Sequence, residues 1–395
     1  MRVVQVYKDY EPPVFGGIEH TVRLLSEGLA ARAGAEVTVL CSSDSPATKV
    51  ERIGAVQVVR AATFGRIART PVSPSVALWL ERLRPDILHF HHPNPTGEVA
   101  CLLARPRCPV VLTYHCDIVR QKSLLKLYRC PLRRFLRRAD HILVTSPATL
   151  ERSAFLKPHR ARCEVLPLAI RAADLAETER SRGVAERLCR EHPGPRVLFV
   201  GRMRPYKGLP VLIDAMARIE GTLVLVGRGE MEEEIRGRIR REGMEDRVVL
   251  AGDVPAGDLP GYYRAADLFV LPSIDRSEAF GIAMIEAMHC GLPVISTRLG
   301  TGTSHVNQDG VTGLEVPPGE VGELASAIRW VLGHPDAARR MGESGRERSL
   351  RYSEKAMVDR TARLYEGLLQ KADAAIRARR AAPRRGAGKR RPGVP

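Results

Sequence analysis

Short apolar runs rich in β-branched residues alternate along the chain with longer stretches whose apolar positions recur at helical spacing. Strands that are apolar throughout are typical of parallel sheets covered by helices on both faces. The pattern therefore predicts an α/β protein built from doubly wound sheets. In the first half, the predicted strands are Arg2–Val6, Glu36–Cys41, Val56–Arg60, Ile87–Phe90, Val110–Tyr114, His141–Thr145 and Cys163–Pro167. In the second half, they are Arg196–Val200, Thr222–Val226, Val248–Ala251, Leu268–Leu271, Val294–Ser296 and Leu314–Val316.

The two sets of strands and the length of 395 residues predict two domains of ordinary size. We place the first at residues 1–175 and the second at residues 190–350. The charged stretch Arg171–Pro195 ends in His-Pro-Gly-Pro before a new strand, and we interpret it as the linker. Residues 351–376 are expected to form a helix that crosses back to the first domain. Two such sheets predict a ligand cleft between the carboxyl ends of their strands.

Several classes of protein are disfavoured by composition. No apolar run approaches the roughly 20 residues of a membrane-spanning helix. The start of the chain has the pattern of a strand and lacks the apolar core of a signal peptide, so we expect a cytoplasmic protein. The eight cysteines contain no CxxC pair, which argues against a zinc knuckle or a thioredoxin-like site.

The formal net charge of +17 comes almost entirely from two segments. Residues 119–138 and residues 377–395 each contain eight Lys or Arg and no acid. The second segment consists mostly of Arg, Pro, Gly and Ala and is predicted to be disordered. In the first segment, basic residues lie opposite an apolar stripe on a helical wheel, with Pro131 permitting two short helices in place of one. These basic residues are Lys122, Lys126, Arg129, Arg133 and Arg137.

This basic stripe fits two interpretations. It could bind an anionic membrane surface, such as the inner face of the cell membrane. It could equally be the solvated side of a helix whose other side faces the core.

Glu278 and Glu286 stand in the segment SEAFGIAMIEAMHCGLPVIST. A separation of eight residues is just over two helical turns, so both carboxylates can face the same side. Taken alone, the pair also fits an ordinary buried helix with one capping acid and one exposed acid. The surrounding pattern AFG-x-x-x-x-EA-x-x-x-GLPV favours a binding site.

Two cations and two glycines lie in loops between a predicted strand and the helix that follows it. Arg202 and Lys207, in GRMRPYKG, would surround an anion at the N-terminus of the following helix, although a solvated basic loop is an alternative. Gly16 and Gly17 lie between the first strand and the first helix. Because glycine has no side chain, the backbone at Gly16 and Gly17 could come close to a phosphate and bind it. Alternatively, the two glycines form a simple turn without a ligand.

His115 ends a strand in VVLTYHCD, and His91 and His92 occur in HFHHPNP. A histidine after a strand is usually structural. A metal site is disfavoured, because the sequence has no Asp-x-Asp pair to hold a divalent ion on a diphosphate. We therefore expect neither a metal nor another cofactor.

Together these motifs resemble the retaining family 4 glycosyltransferases of the GT-B fold, over nearly the whole chain from Val3 to about Tyr365. The segments HFHHPNP, TYHCDIVRQK, LVTSP and VNQDGVTGLEVPPG resemble a branch of mannosyltransferases of bacterial surface polysaccharides. The branch implies GDP-mannose as the nucleotide-sugar donor and a glycan or polyprenyl-linked glycan as the acceptor. Cys116 departs from this branch, which often has Ser there.

The resemblance implies a role for each candidate residue. Arg202 and Lys207 would bind the donor diphosphate, Glu286 the ribose hydroxyls and Glu278 the donor sugar. His115 would lie near the reacting sugar. The remaining donor contacts would come from backbone groups of Gly16, Gly17, Phe280, Gly281 and Ile282. The nucleotide sugar is then a substrate, and no separate cofactor is implied.

The chemistry agrees with these roles. Two fixed cations would stabilise the negative charge that develops on the leaving diphosphate without a metal. The reacting carbon gains oxocarbenium character, as in glycoside hydrolysis. Since no carboxylate is clearly placed as a nucleophile, we expect the acceptor to attack on the face that the diphosphate leaves.

Two alternatives stay open. A sugar-nucleotide epimerase or a phosphorylase on a similar fold would use the same cleft. The isoelectric point of about 9.9 fits a nucleic-acid-binding protein. Against this second alternative, the basic residues are confined to two segments and no recognition-helix, RRM or zinc pattern occurs, so no nucleic-acid partner is expected.

Overall fold

The structure, a computed structural model, confirms the predicted α/β architecture, in which helices cover two Rossmann-like, largely parallel sheets. It describes residues 1–67, 70–118 and 122–381, except for the side chains of residues 122–125, 376 and 379–381. The strands are β1 (Arg2–Val6), β2 (Glu36–Ser42), β3 (Lys49–Ile53), β4 (Val56–Ala61), β5 (Arg66–Ile67), β6 (Thr70–Pro71), β7 (Ile87–His92), β8 (Val110–Tyr114), β9 (His141–Val144), β10 (Cys163–Val165), β11 (Arg196–Val200), β12 (Thr222–Val226), β13 (Val248–Gly252), β14 (Leu268–Leu271), β15 (Val294–Thr297) and β16 (Gly313–Val316). The α-helices are α1 (Gly17–Ala30), α2 (Ser75–Arg82), α3 (Pro95–Ala104), α4 (Lys122–Arg138), α5 (Pro147–Arg152), α6 (Glu179–Glu191), α7 (Leu209–Met216), α8 (Glu232–Arg241), α9 (Leu259–Ala265), α10 (Ile282–His289), α11 (Thr303–Val306), α12 (Val321–Gly333), α13 (Pro335–Ser349) and α14 (Glu354–Ala381).

The first sheet has eight strands in the order β10-β9-β8-β7-β1-β2-β4-β3, and β3 runs antiparallel to β4. The central strand β1 pairs in parallel with both β2 and β7, so the winding of the chain reverses between β1 and β7. Ligands of open α/β sheets bind at such a switch point, beyond the carboxyl ends of the strands. The residues that follow β1 and β7 therefore border the ligand-binding end of this sheet.

The second sheet has six parallel strands in the order β13-β12-β11-β14-β15-β16. Here β11 pairs with both β12 and β14, which puts the switch point between β11 and β14. The loops after these two strands are neighbours for this reason. They contain Arg202, Lys207 and Glu278, the charged residues that the sequence analysis selected.

Three strands were missing from the sequence prediction. The edge strand β3 reads KVERI, and its charged residues interrupt the apolar pattern. Charges are common on edge strands, because they discourage pairing with other chains. β5 and β6 form a hairpin with two residues each, which is too short to show a periodicity.

Both faces of the first sheet are buried. Successive residues of a strand point to opposite faces, and Val3 accordingly packs in one apolar core while Val4 and Val6 pack in another. The long helix α14 returns from the second sheet and covers the face of Val3. Its buried residues there are Met357, Val358, Ala362 and Tyr365.

The chain crosses between the two sheets twice, and the two crossings lie side by side. Ile170, on the outgoing crossing, forms a β-bridge with Ser353 on the returning one. The guanidinium of Arg171 donates two hydrogen bonds of 2.8 Å to the carboxylate of Glu354. It also pairs with Glu27 of α1 at 2.8 Å. The two crossings are thus fastened to each other and to a helix of the first sheet.

The predicted linker Arg171–Pro195 contains a helix, α6, that the sequence analysis did not predict. Charged residues dominate its sequence, ERSRGVAERLCRE, and obscure a narrow apolar face. Val184 and Leu188 on that face pack with Ala265 of α9, so α6 lies against the second sheet's helices. The domain limits at residues 175 and 190 stay predictions.

The end of the chain differs from its prediction at one point. The segment expected to be disordered begins at Arg377, but residues 377–381 continue helix α14 to Ala381. Residues 382–395 of that basic segment lie outside the described residues.

The basic segment near residue 130 forms one helix, α4, with Pro131 inside it. On one side, Leu132, Phe135 and Leu136 are fully buried in the core. The opposite side exposes Lys126, Arg129, Arg133 and Arg137, whereas the side chain of Lys122 lies outside the described residues. Within the described part of the chain, no helix has the length and apolarity to cross a membrane.

Helix α13 supports α10 through a close contact that leaves no room for a side chain. A Cβ atom on Gly342 of α13 would collide with the carbonyl oxygen of Gly291, just after α10. We expect Gly342→Ala to lower the free energy of unfolding by about 1–3 kcal/mol, the usual cost of overpacking. Urea unfolding followed by circular dichroism measures this change.

Gly183 provides the matched control, because it lies inside α6 and an added Cβ would meet no atom within 4 Å. Gly183→Ala should raise the free energy of unfolding by about 0.5–1 kcal/mol, since alanine loses less entropy in a helix. Equal effects of the two substitutions would contradict the close contact of α13 with α10.

Candidate active site

The loop between β11 and α7 places Lys207 at the switch point of the second sheet. Pro205–Lys207 form a single 3₁₀ turn, and Gly208 follows in the left-handed conformation with φ +67°. A Cβ atom on Gly208 would collide with the carbonyl oxygen of Pro272, at the end of β14. Glycine therefore allows this loop to pack directly onto the neighbouring strand.

Lys207 forms a buried ion pair with Glu278. The Lys207 Nζ and Glu278 Oε2 atoms are 2.5 Å apart, and the two side chains are only 12% and 8% exposed. Burial alone would lower the pKa of Lys207, but the Glu278 carboxylate outweighs it and the net shift is upward. The ammonium group therefore stays charged.

Hydrogen bonds fix Glu278 from two further directions. The hydroxyl of Ser273 donates to Glu278 Oε2 at 3.0 Å, and the hydroxyl of Thr301 donates to the Glu278 carbonyl oxygen at 2.7 Å. Since Lys207 and Ser273 share one carboxylate oxygen, Glu278 Oε1 remains the oxygen that can accept from a ligand.

Helix α10 begins just after Glu278 and presents its N-terminus without a side-chain cap. The N-cap residue is Gly281, in the left-handed conformation with φ +82°. The first N–H groups of a helix carry partial positive charge and bind anions. Of these groups, those of Gly281 and Ile282 belong to the stretch Phe280–Ile282 that the sequence analysis selected.

The glycines of the first sheet face this helix. A Cβ atom on Gly17 would lie 3.6 Å from Ile282 Cδ1, so the start of α1 lies close to the start of α10. A Cβ atom on Gly16 would lie 2.5 Å from the carboxylate of Glu19. The structure thus brings the predicted glycines and the predicted start of α10 together across the cleft.

Glu286 lies one helical turn further along α10. The hydroxyl of Tyr263 donates to Glu286 Oε2 at 2.6 Å. Burial raises the pKa of the Glu286 carboxyl, although this hydrogen bond and the charge of His20 partly offset the shift. His20 belongs to α1, so groups from both sides of the cleft surround this carboxylate.

Arg202 is half-buried, and its guanidinium forms no hydrogen bond or ion pair with any residue that the structure describes. Its charge acts on the buried carboxyl of Glu19, whose pKa is raised by burial and lowered in part by Lys8 and Arg202. Unlike Lys207, Arg202 is therefore free to pair with a bound anion.

Sequence reasoning missed Glu19 and Lys8 as residues of the cleft. Glu19 lies in the first turn of α1, two residues after Gly17, and is 7% exposed. An acid directly after a glycine pair at a helix start was the available signal. Lys8 follows β1, and its position could be inferred only from the strand order of the first sheet.

His115 is buried just beyond β8, at the carboxyl end of the first sheet. Its Nε2 atom is 3.1 Å from His91 Nδ1, while its Nδ1 atom has no hydrogen-bond partner in the described structure. Burial and the nearby His92 lower the pKa of His115 to about 3. Burial raises the pKa of the adjacent Cys116 thiol to about 12, and the charges of Asp117 and Glu278 add to this shift.

Two of the three histidines of HFHHPNP, His91 and His92, have different partners. His92 Nδ1 is 2.8 Å from Glu98 Oε1, and its ring stacks on Tyr114 with centroids 4.4 Å apart. His91 is engaged with His115. Within the residues that the structure describes, no group of three or more His, Cys, Asp or Glu could hold a metal ion.

Two regions of the chain match known families. Residues 15–173 match the family described as Glycosyltransferase Family 4, and residues 187–348 match Glycosyl transferases group 1. The chain is 35% identical to O-antigen chain mannosyltransferase C of Escherichia coli, over 94% of this chain and 99% of that protein. It is 36% identical to D-rhamnosyltransferase WbpZ of Pseudomonas aeruginosa, over 88% of this chain and 91% of that protein.

Solved structures share the fold. Sucrose-phosphate synthase from Thermosynechococcus elongatus superimposes with a TM-score of 0.80 and 25% identity, over 94% of this chain and 99% of that one. Anabaena HepE in complex with UDP-glucose superimposes with a TM-score of 0.75 and 22% identity, over 93% of this chain and 100% of that one.

The buried histidines predict a loss of stability in mild acid. Burial lowers the pKa of His89 and His115 to about 3, and that of His91 falls well below its ordinary value. The folded state therefore stays neutral at these sites while the unfolded chain takes up protons below about pH 6.5. Each such histidine should cost about 1.4 kcal/mol of stability per pH unit below that point.

Urea unfolding at pH 7.5, 6.5 and 5.5 measures this dependence. His89→Gln should make the loss of stability between pH 6.5 and 5.5 shallower. The matched control is His334→Gln, at an exposed position, which should leave the slope unchanged. The pKa of His20 is raised, so its protonation stabilises the folded state as the pH falls. This contribution is present in the wild type and in both variants, so it does not affect the comparison. Equal slopes for the wild type and His89→Gln would contradict the neutral buried state.

Proposed function

The chain belongs to the family 4 glycosyltransferases, and on that premise we propose that it is a retaining, nucleotide-sugar-dependent hexosyltransferase that works without a metal. The observation that carries the proposal is the joint position of the Lys207–Glu278 ion pair, the free guanidinium of Arg202 and the uncapped start of α10. All three lie beyond the carboxyl ends of β11 and β14.

The leaving diphosphate is the group that this arrangement suits. Arg202 has an open guanidinium, and the first N–H groups of α10 add the positive end of a helix dipole. Lys207 supplies a second charge that the buried carboxylate of Glu278 keeps in place. Together these groups would stabilise the charge that develops as the sugar–phosphate bond breaks.

The state of Glu278 supports a route to the proposed retention of the anomeric configuration that needs no nucleophile from the enzyme. Its carboxylate is paired with Lys207 and bonded by Ser273, so it is poorly suited to attack a sugar carbon. We infer that the acceptor hydroxyl attacks from the side on which the diphosphate departs. Glu278 Oε1 would then bind a hydroxyl of the donor sugar.

Names of the relatives suggest the substrates. Because a mannosyltransferase of O-antigen chains and a D-rhamnosyltransferase align over most of this chain, we propose GDP-mannose as the donor. The acceptor would be a glycan, free or carried on a polyprenyl lipid. The ribose of the nucleotide would bind to Glu286, which helix α10 holds beside Tyr263.

We also propose that the exposed basic side of α4 brings the enzyme to the inner face of the cell membrane. Lys126, Arg129, Arg133 and Arg137 are exposed on one helix whose other side is anchored in the core. Such a surface attracts anionic lipid headgroups, at roughly 1 kcal/mol for each basic residue near the bilayer.

Transfer to an acceptor is tested with GDP-mannose and glycan acceptors that lack the last sugar. The wild type should release GDP, and the new linkage should keep the α configuration of the donor in the NMR spectrum. Excess EDTA should leave the rate unchanged. A product of inverted configuration would refute retention, and conversion of the nucleotide sugar without an acceptor would favour an epimerase.

Arg202→Ala and Lys207→Ala should each lower kcat by on the order of 10²-fold or more, because each removes a fixed charge from the leaving group. The matched control is Arg339→Ala, at an exposed position of α13 with 63% side-chain exposure, which should keep wild-type kinetics. Near-wild-type rates for both site variants, together with loss of activity in EDTA, would refute the metal-free scheme.

Membrane binding is tested by flotation with vesicles that contain anionic lipids. Arg129→Glu combined with Arg133→Glu should weaken binding by about tenfold or more, and added salt should weaken wild-type binding. Arg339→Glu combined with Arg340→Glu, on α13, is the charge-matched control. Equal binding of the wild type to neutral and anionic vesicles would count against this surface.

A further inference from the structure

Six buried side chains form a continuous hydrogen-bond chain that ends at His115. We name this set the histidine chain. In order, its members are Thr113, His89, Tyr365, Gln5, His91 and His115. The path links α14, near the end of the chain, to the loop after β8.

The strand periodicity explains why these side chains meet. His89 and His91 are two residues apart on β7, so they point to the same face of the first sheet. Gln5 on β1 faces the same side, where helix α14 places Tyr365 above the sheet. Thr113 joins from the neighbouring strand β8.

The contacts along the histidine chain are all within hydrogen-bond distance. His89 Nε2 lies 2.7 Å from the Thr113 hydroxyl, and His89 Nδ1 lies 2.5 Å from the Tyr365 hydroxyl. Gln5 Nε2 donates to the same tyrosine oxygen at 3.2 Å. On its other side, Gln5 Oε1 is 2.9 Å from His91 Nε2. Each member is 6% exposed or less.

The amide of Gln5 sets which nitrogen of His91, and through it of His115, carries the proton. An amide oxygen can only accept, so His91 Nε2 must carry the proton. In a neutral imidazole the other nitrogen is then an acceptor, and His91 Nδ1 receives a hydrogen bond from His115 Nε2. His115 is thereby the Nε2–H tautomer, with a lone pair on Nδ1.

This lone pair has no partner among the described residues, although the atom is buried. Buried polar atoms in native proteins are nearly always satisfied, so an unsatisfied acceptor at the ligand-binding end of a sheet indicates a donor that the ligand supplies. His115 lies directly beyond the carboxyl end of β8, at the end of the first sheet where ligands of doubly wound sheets bind. A ligand hydroxyl in the cleft would supply the missing donor.

We propose that the histidine chain, through Gln5 and Tyr365, holds His115 as the Nε2–H tautomer so that Nδ1 accepts a hydrogen bond from a hydroxyl of the bound sugar. Gln5, His91 and Tyr365 are positioning residues in this scheme. Helix α14 thereby takes part in sugar binding without touching the ligand. The sugar as ligand rests on the proposed function, whereas the tautomer does not.

The tautomer is measured directly by NMR of the full-length protein labelled with ¹⁵N-histidine, without ligand at pH 7.5, with His115→Gln to assign the signal. We expect the long-range ¹H–¹⁵N pattern of an Nε2–H imidazole. An Nδ1–H pattern, which the reverse orientation of the Gln5 amide would produce along the whole chain, overturns the proposal. An imidazolium signal overturns it too.

Tyr365→Phe tests the link to α14, because it keeps the ring and removes the hydroxyl that anchors the Gln5 amide. We expect the His115 signal to change to a mixture of tautomers. The affinity for GDP-mannose should fall about tenfold, the equivalent of one hydrogen bond, while the affinity for GDP stays the same. A purely structural role would lower both affinities together or neither.

Tyr10→Phe is the matched control. Tyr10 is fully buried in the same apolar core as Tyr365, but its hydroxyl has no hydrogen-bond partner in the described structure. This variant should keep the His115 signal and both affinities. If Tyr365→Phe, folded by circular dichroism, also keeps them, the proposal is wrong.

The tautomer of His115 and the proposed function are tested by different experiments. An incorrect tautomer appears in the spectrum of the unliganded wild type, whatever the enzyme transfers. An incorrect proposed function appears as a wild type that neither binds nor transfers any nucleotide sugar, with the spectrum unaffected.

Discussion

The buried ion pair of Lys207 with Glu278 is the interaction on which the site depends. Taking two charges out of water is unfavourable unless they meet each other and further hydrogen-bonding groups. The structure meets this condition by joining two loops at the switch point of the second sheet, where Gly208 lets one loop pack onto the other strand. The helix that follows each loop then begins at a fixed place. The start of α10 and the carboxylate of Glu286 owe their positions to this junction.

Local sequence patterns were sufficient to predict most of the fold. Buried strands such as Arg196–Val200 and Thr222–Val226 have the predicted limits, because their apolar runs end at turn-forming residues. The elements that were missed lack such a pattern: β3 is interrupted by charges, and α6 has a narrow apolar face. Arg202 and Lys207 were found from their loop between a strand and the next helix, and Glu278 and Glu286 from their spacing within the pattern that surrounds them.

Contacts between distant parts of the chain could not be predicted in this way. Tyr365 and Gln5 are 360 residues apart, and nothing near either residue indicates that they share a hydrogen bond. His115 was selected for its place after a strand, but its partner His91 and its free nitrogen follow only from the strand order. The same limit applies to Glu19, whose burial depends on how α1 meets the second sheet.

The paired crossings between the sheets have a mechanical consequence. The two crossing segments run side by side and are joined by the Ile170–Ser353 bridge, so together they form a single short connection between the sheets. Sliding of one crossing past the other would break the contacts of Arg171 with Glu354 and Glu27. A hinge motion at the paired crossings would leave these contacts intact, so it is the relative movement of the two sheets that this feature favours.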